Sequence, residues 1–305
     1  MRAFIIRRIG QSVLDCLGVA VVTFLLLRIA HDPVYVLLPP ESTQEEIETL
    51  RKAMGFDRPL PVQFAFFMGR LLRGDFGNSF VMAQPASLLI WERMPATLGL
   101  SLAGMAIALI VAIPLGVLAA FRRNTLVDTF CTSFAVSGQA MPIFWFGIML
   151  IIVFAVQLKV LPVSGSGSFL HLVLPAVTLA LNLAPIIMRL TRSRMLDVLS
   201  QDYIRTARSK GVMERAVLFR HALRNAAISV VTIIGLQFGR LMGGAVITEA
   251  VFAWPGVATL VVSSIYNADF PVVQAATFYL AIFIVAANTL ADIAVAWLDP
   301  RISRG

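Results

Sequence analysis

The length of the apolar runs constrains this chain more than any other feature. A helix needs about 20 residues to cross roughly 30 Å of hydrocarbon. Six stretches of that order stand in the sequence, at residues 9–30, 97–121, 131–157, 169–190, 228–250 and 272–298. The chain is 58% hydrophobic and only 14% charged, where a soluble domain carries about 25% charged residues. Backbone N–H and C=O groups in lipid find partners only inside helices or closed barrels. Runs this long therefore predict an all-α integral membrane protein with six transmembrane helices. The first run is too long for the core of a signal peptide and no small-residue cleavage site follows it, so it reads as a retained span. Cys16 and Cys131 lie in or beside apolar runs and read as small buried residues, with no metal-binding spacing.

The net charge of +8 would point to nucleic acid in a soluble protein. Here the positions of the charges report orientation instead. Arg2, Arg7 and Arg8 precede the first span and place the N-terminus in the cytoplasm. Six crossings return the tail, with Arg301 and Arg304, to the same side. Arg122 and Arg123 follow the second span, and a dense basic stretch follows the fourth. On this layout 16 of the 25 basic residues are cytoplasmic, whereas the outer segment 31–94 has six basic and eight acidic residues. The topology is N-in, C-in.

The outer segment carries helical signals of its own. Residues 42–56 open with Ser and Thr ahead of acids and place Ile47, Leu50 and Met54 at helical spacing. Residues 61–77 predict a second amphipathic helix with Phe64, Phe67, Leu71 and Leu72 on one face. Such helices lie in the membrane interface or cap the mouth of a pathway.

The stretch 191–226 is charged, yet Met195, Leu196, Leu199, Ile204 and Ala207 keep helical apolar spacing up to Gly211, and Val217, Leu218 and Leu223 resume it. Two short helices joined at a glycine make a compact knob, since glycine takes the positive φ that a helix C-terminus uses. Small residues at Thr206 and Ala207 admit close approach by another protein. A solvated basic loop against anionic headgroups is the other reading of the same residues.

Within the spans, Gly235, Gly239 and Gly243 repeat every four residues and mark a close helix contact, inside the subunit or across an interface. Arg240 sits mid-span, where a charge costs about 2.5–3.5 kcal/mol on insertion scales. It must face water or pair with an acid: it either lines a pathway for an anionic group or meets a carboxylate of a partner. Asp15, Asn182, Gln237, Asn288 and Asp292 are the other polar intruders, with Asp292 expected to cap or pair locally. Pro114, Pro142 and Pro185 are expected to kink spans two, three and four. Glu249 and Trp254 fall at the outer end of span five, as an interface anchor or part of an outer gate. Ion-driven carriers and channels are the rival class, but mid-span carboxylates are scarce and no inverted repeat is apparent. The run 163–168 with His171 invites a hydrolase reading, but no G-x-S-x-G stands anywhere in the chain. His31, His171 and His221 are scattered over separate loops.

The loop around Gly211 resembles the ATPase-docking loop of binding-protein-dependent ABC importers, whose signature is Glu-Ala-Ala, three residues, then Gly. Only Ala207 and Gly211 match it, with Arg205 and Thr206 in place of the acid and the first alanine. The form DYIRTARSKG followed by HALRNA resembles one branch, the dipeptide, oligopeptide and nickel permeases. The proline usual after HALRNA is missing, and Ile228 and Ser229 stand near its place. Further similar segments follow in the same order along the whole chain: GFDRPLPVQF (55–64), LLRGDFGNSF (71–80), MPIFWFGIML (141–150), LPVSGSG (161–167), GLQFGRLMGGAVITEAVFAWPG (235–256), DFPVVQA (269–275) and WLDPRI (297–302).

The resemblance implies a type I ABC importer permease fold. It divides the chain into the first span (1–30), a periplasmic segment (31–94), a five-span core (95–298) containing the docking loop 191–226, and a short tail (299–305). It also implies a second homologous permease, two cytoplasmic ATPases and a periplasmic or lipid-anchored solute-binding protein. ATP and Mg²⁺ are expected on the ATPases and no cofactor in this chain, which has no G-x-x-x-x-G-K-[ST] loop. Asp202, Tyr203, Arg205, Thr206, Ala207, Arg208, Lys210, Gly211, Glu214 and Arg215 are the expected coupling residues. Gln237, Gly239, Arg240, Gly243, Glu249 and Asn182 are the pathway or interface candidates. Dipeptides, longer peptides, glutathione, nickel complexes and some sugars are all carried within this branch.

Overall fold

The computed structural model describes residues 2–30, 38, 42–53 and 55–298. His31, Met54 and the tail bearing Arg301 and Arg304 lie outside the described residues. In chain order the helices are α1 (Arg2–Ala30), α2 (Gln44–Ala53), α3 (Leu60–Leu71), α4 (Ala86–Phe121), α5 (Leu126–Ala140), α6 (Ile143–Leu150), α7 (Phe169–Leu199), α8 (Asp202–Ser209), α9 (Glu214–Ala216), α10 (Leu223–Gly244), α11 (Val246–Val251), α12 (Val257–Tyr266) and α13 (Phe270–Leu298). Wider π-helical turns continue α6 through Ile151–Gln157 and join α9 to α10 through Val217–Ala222.

Five stretches are long and apolar enough to cross a membrane, and a sixth crossing arises if α5 and α6 count as one bent span. That bend is 100°, so at Pro142 the expected kink is a full break between two helices. A proline drives the residue before it out of the helical region. Met141 (ψ 131°) and Pro142 (ψ 130°) are both extended. Pro114 and Pro185, by contrast, sit inside the uninterrupted α4 and α7. The helices also overrun the apolar runs: α4 begins at Ala86 and α7 continues to Leu199, both well past the predicted limits.

The centre of the core is the α4–α7 pair. Leu100, Met105 and Ala108 of α4 are buried together with Leu179, Leu183 and Ile187 of α7. The helices approach closely because Gly116 has no side chain; a Cβ there would stand 2.7 Å from the Met188 carbonyl oxygen. α1 is tied to α13 by polar pairs near the inner end. Arg8 reaches Asp292 at 3.3 Å, and Ser12 Oγ lies 2.9 Å from Thr289 Oγ1. Asp292 thus pairs across helices and not within its own.

Outside the membrane, α2 starts as expected. Thr43 and Glu46 form a capping box, with the Thr43 N–H donating to Glu46 Oε2 at 2.8 Å. α3 is shorter than predicted, and Leu72 is 80% exposed, off the buried face. Phe64 and Phe67 pack on Phe24 of α1 at ring distances of 5.3 and 5.5 Å. The Ser168–His171 pair is a cap on α7. His171 Nδ1 accepts from the Ser168 backbone N–H at 3.1 Å, which is a structural role for that histidine.

Candidate functional site

The predicted cytoplasmic hairpin forms, though its borders differ. Residues 195–199 belong to the end of α7, and the second helix runs straight into span five. α8 closes with a Schellman turn. Gly211 adopts φ +76°, its N–H reaches the Arg208 carbonyl at 2.9 Å, and the Val212 N–H reaches the Ala207 carbonyl at 3.2 Å. Arg208 and Glu214 brace the turn from outside, with Nε–Oε1 at 2.6 Å and Nη2–Oε2 at 3.3 Å. Asn225 donates to the Tyr203 hydroxyl at 2.6 Å and pins α8 to the following helix.

The hairpin is mounted rigidly on the spans. Ile204 and Val217 are fully buried against Val117 and Ala120 of α4 and Met195 and Val198 of α7, with Ala207 and Val212 at the edge of the same core. Asp202, Tyr203, Arg205, Thr206, Arg208, Lys210, Gly211, Glu214 and Arg215 all face outward and leave one polar surface free. The same packing joins the hairpin to the ends of α4, α7 and α10.

A second brace was not foreseen from the sequence. Arg192 of α7 grips Asp128 of α5 with two bonds of 2.7 Å, and Asp128 also accepts from the Asn124 N–H at 3.0 Å. The available signal was a lone acid in the first turn of an apolar helix facing a basic stretch. Too many arginines follow for spacing to choose among them.

The pathway candidates separate into two groups. Gly239 is buried, and a Cβ there would lie 2.9 Å from Ile284 of α13. A Cβ at Gly235 would overlap Ala291 of the same helix. The glycine contact is therefore inside the subunit at those two positions. Gly243 has nothing within 4 Å of the Cβ position. With Leu236, Arg240 and Ile247 it forms an open stripe along span five. Arg240 has no carboxylate within ion-pair distance among the described residues. Asn182 is exposed on α7, whereas Gln237 is 4% exposed.

Glu249 and Trp254 are both buried. Glu249 is fully buried, accepting from the Thr97 hydroxyl at 2.8 Å and from the Thr259 N–H at 3.0 Å at the start of α12. Thr97 in turn accepts from the Val257 N–H at 2.8 Å, and the Trp254 indole donates to the Ala96 carbonyl at 3.0 Å. The segment 249–259 is thereby stapled to α4. Gly256 permits it, because any Cβ there would collide with the Glu249 carboxylate.

These features define a polytopic helical membrane protein with a polar hairpin packed on the ends of its spans and a span whose exposed stripe carries an arginine with no carboxylate partner among the described residues. The chain belongs to the family of binding-protein-dependent transport system inner membrane components, which matches residues 112–304, with the family's N-terminal region matching residues 1–101. It is a multi-pass protein of the bacterial inner membrane. It is 41% identical over 314 residues to the oligopeptide transport system permease protein AppB of Bacillus subtilis, covering 99% of each chain. It is 39% identical over 303 residues to the glutathione transport system permease protein GsiC of Salmonella typhimurium, again covering 99% of each. Among solved structures, the inward-facing MetNI methionine ABC transporter shares the fold at a TM-score of 0.60 and 18% identity, covering 69% of this chain and 96% of that one. The fold is that of a type I ABC importer permease.

Proposed function

We propose that this chain forms one half of the translocation pathway for a peptide-like solute in an ATP-driven importer. A second, homologous permease supplies the other half. A periplasmic or lipid-anchored binding protein delivers the solute, and two cytoplasmic ATPases hold ATP and Mg²⁺. The permease itself carries out no hydrolysis. The peptide class is supported by relatives named for oligopeptide and glutathione transport over their full length.

The observation that carries the reading is the hairpin around Gly211. Its outer surface is polar and free, and its inner surface is packed on three spans. The residues from Asp202 to Arg215 dock on an ATPase, and closure of the ATPases moves α4, α7 and α10 as a unit. The stripe containing Arg240 and Gly243 faces the second permease and the pathway, with Asn182 on the same permeation surface.

Co-reconstitution of the two permeases and the ATPases in proteoliposomes tests this. Uptake of a labelled tripeptide is expected only with binding protein outside and ATP inside. Uptake driven by an ion gradient without ATP would overturn the proposal in favour of an ion-coupled carrier.

A further inference from the structure

A cavity of about 760 Å³ lies on the outer side of the molecule, away from the hairpin and from the α10 stripe. Segments far apart in the chain build it: Gly55 to Gln63, Arg70 to Ala83, and Phe270 to Gln274. Its depth relative to the membrane follows from its walls. Phe270 is the first residue of the span Phe270–Trp297, and the wall also reaches Phe24 in the second half of α1. Ala83 lies just ahead of the span that begins at Ala86. The cavity therefore sits where hydrocarbon gives way to headgroups. Leu60 (54%) and Phe66 (58%) of α3 are exposed beside it, as on a helix lying in the interface.

The lining has a definite chemistry. Seven of the chain's 21 phenylalanines surround this one space. The charged residues in the wall are Lys52, Arg58, Arg70 and Asp75. Asp75 is fully engaged: it accepts from Arg70 at 3.1 and 3.3 Å and from the Gly77 N–H at 2.8 Å. The Arg70 hydrogen bonds hold its carboxyl below the usual range. Lys52 makes only a loose surface pair with Glu48 at 3.9 Å. The Arg58 guanidinium lies 4.9 Å above the Phe66 ring, with no carboxylate in ion-pair reach among the described residues. Gln63, 8% exposed, donates to the Phe56 and Arg58 carbonyls at 3.1 and 2.6 Å and so fixes the turn that carries Arg58. Its own carbonyl oxygen has no donor among the described residues.

We propose that this cavity binds an anionic phospholipid, with an acyl chain among the phenylalanine rings and the phosphodiester on Arg58 and Lys52. A zwitterionic peptide fits less well, because its ammonium group would need a free acid and the one acid in the wall is already bound.

The test uses the full chain purified in mild detergent. Native mass spectrometry is expected to find phosphatidylglycerol retained at about one per chain, enriched over bulk membrane lipid. Dihexanoyl phosphatidylglycerol is expected to raise the melting temperature, while dihexanoyl phosphatidylcholine, glycerol 3-phosphate and a zwitterionic tripeptide leave it unchanged. The double variant Lys52→Gln/Arg58→Gln changes two exposed side chains. It is expected to melt like the parent without lipid and to bind phosphatidylglycerol about tenfold or more weaker. Equal stabilisation by phosphatidylcholine, a larger shift with the tripeptide, or unchanged lipid retention in the double variant would overturn the proposal.

Discussion

Arg192 and Asp128 meet through two parallel bonds of 2.7 Å, joining the start of α5 to the inner extension of α7. The carboxylate side chain is 7% exposed and the guanidinium side chain 26%. Removing one partner of a buried pair costs about 3–5 kcal/mol, and partial exposure of Arg192 lowers this. Asp128→Ala is expected to destabilise the chain by about 2–3 kcal/mol. The double variant Asp128→Ala/Arg192→Met should recover part of that loss, because no charge is left unpaired. Denaturant unfolding in detergent reads both. A loss below about 0.5 kcal/mol for Asp128→Ala would place the pair among surface bridges of little weight.

Gly211 stands in open space in its own chain, so within the permease a substitution there acts through its backbone, held at φ +76°. Asn tolerates that region and Val does not. Gly211→Asn should couple nearly normally, while Gly211→Val should leave ATP turnover in the assembled transporter but reduce uptake severalfold. Ala207→Glu places a charge at the edge of the hairpin core and should act in the same way. Uptake at parental levels in both Gly211→Val and Ala207→Glu would remove the hairpin from the coupling route.

Glu249 accepts from donors on both of its oxygens, Thr97 on one and the Thr259 N–H on the other, so an amide in its place must turn an N–H toward one of them. Glu249→Gln is expected to cost about 1–3 kcal/mol. Gly256→Ala should cost at least as much, by forcing the carboxylate from its site against Gly256. Protease nicking between Phe252 and Asn267 should become faster in both. Parental resistance in Gly256→Ala would show that the segment repacks without that close contact.

The features legible in the sequence were those with a strong local cause. Apolar run length announced the spans, and the spacing Ala207 to Gly211 announced the hairpin turn, because a helix end with a left-handed glycine is a local event. The end of the helix at Met141 was partly legible, since proline restricts its predecessor, but a 100° bend depends on what each half packs against. Pro114 carries the same local signal without interrupting its helix. Least legible were the long-range polar ties. Glu249 was noticed as a charge at a span end, yet its partner Thr97 lies some 150 positions away, and only the tertiary fold shows it to be a buried staple. Asp269 is similar: it accepts from the Ser79 hydroxyl and from the Phe80 N–H at 3.0 Å, and so fastens the outer segment to the start of α13.

Arg240 lies open on span five with no acid in ion-pair reach among the described residues. If it draws an anionic end of the solute, Arg240→Met should slow uptake of a tripeptide with a free carboxylate at least tenfold, against little change for the C-terminal amide. Paired uptake assays on reconstituted transporter make the comparison. An equal loss for both solutes contradicts recognition of the carboxylate and assigns the charge to an acid of the second permease.

Gly235 and Gly243 present the same residue to different surroundings, which turns a shared motif into a test of the interface. Adding a side chain at Gly235 drives Cβ into Ala291 of α13, so Gly235→Leu should cost about 1–3 kcal/mol through overpacking. Gly243 has no atom within 4 Å of the added carbon. Gly243→Leu should leave the melting temperature of the isolated chain unchanged. In the assembled transporter the same change should lower recovery of the second permease in affinity purification, because that glycine meets nothing among the described residues of its own chain and, on the proposed reading, faces the other subunit. Full recovery together with full uptake would mean that the open end of the stripe faces lipid.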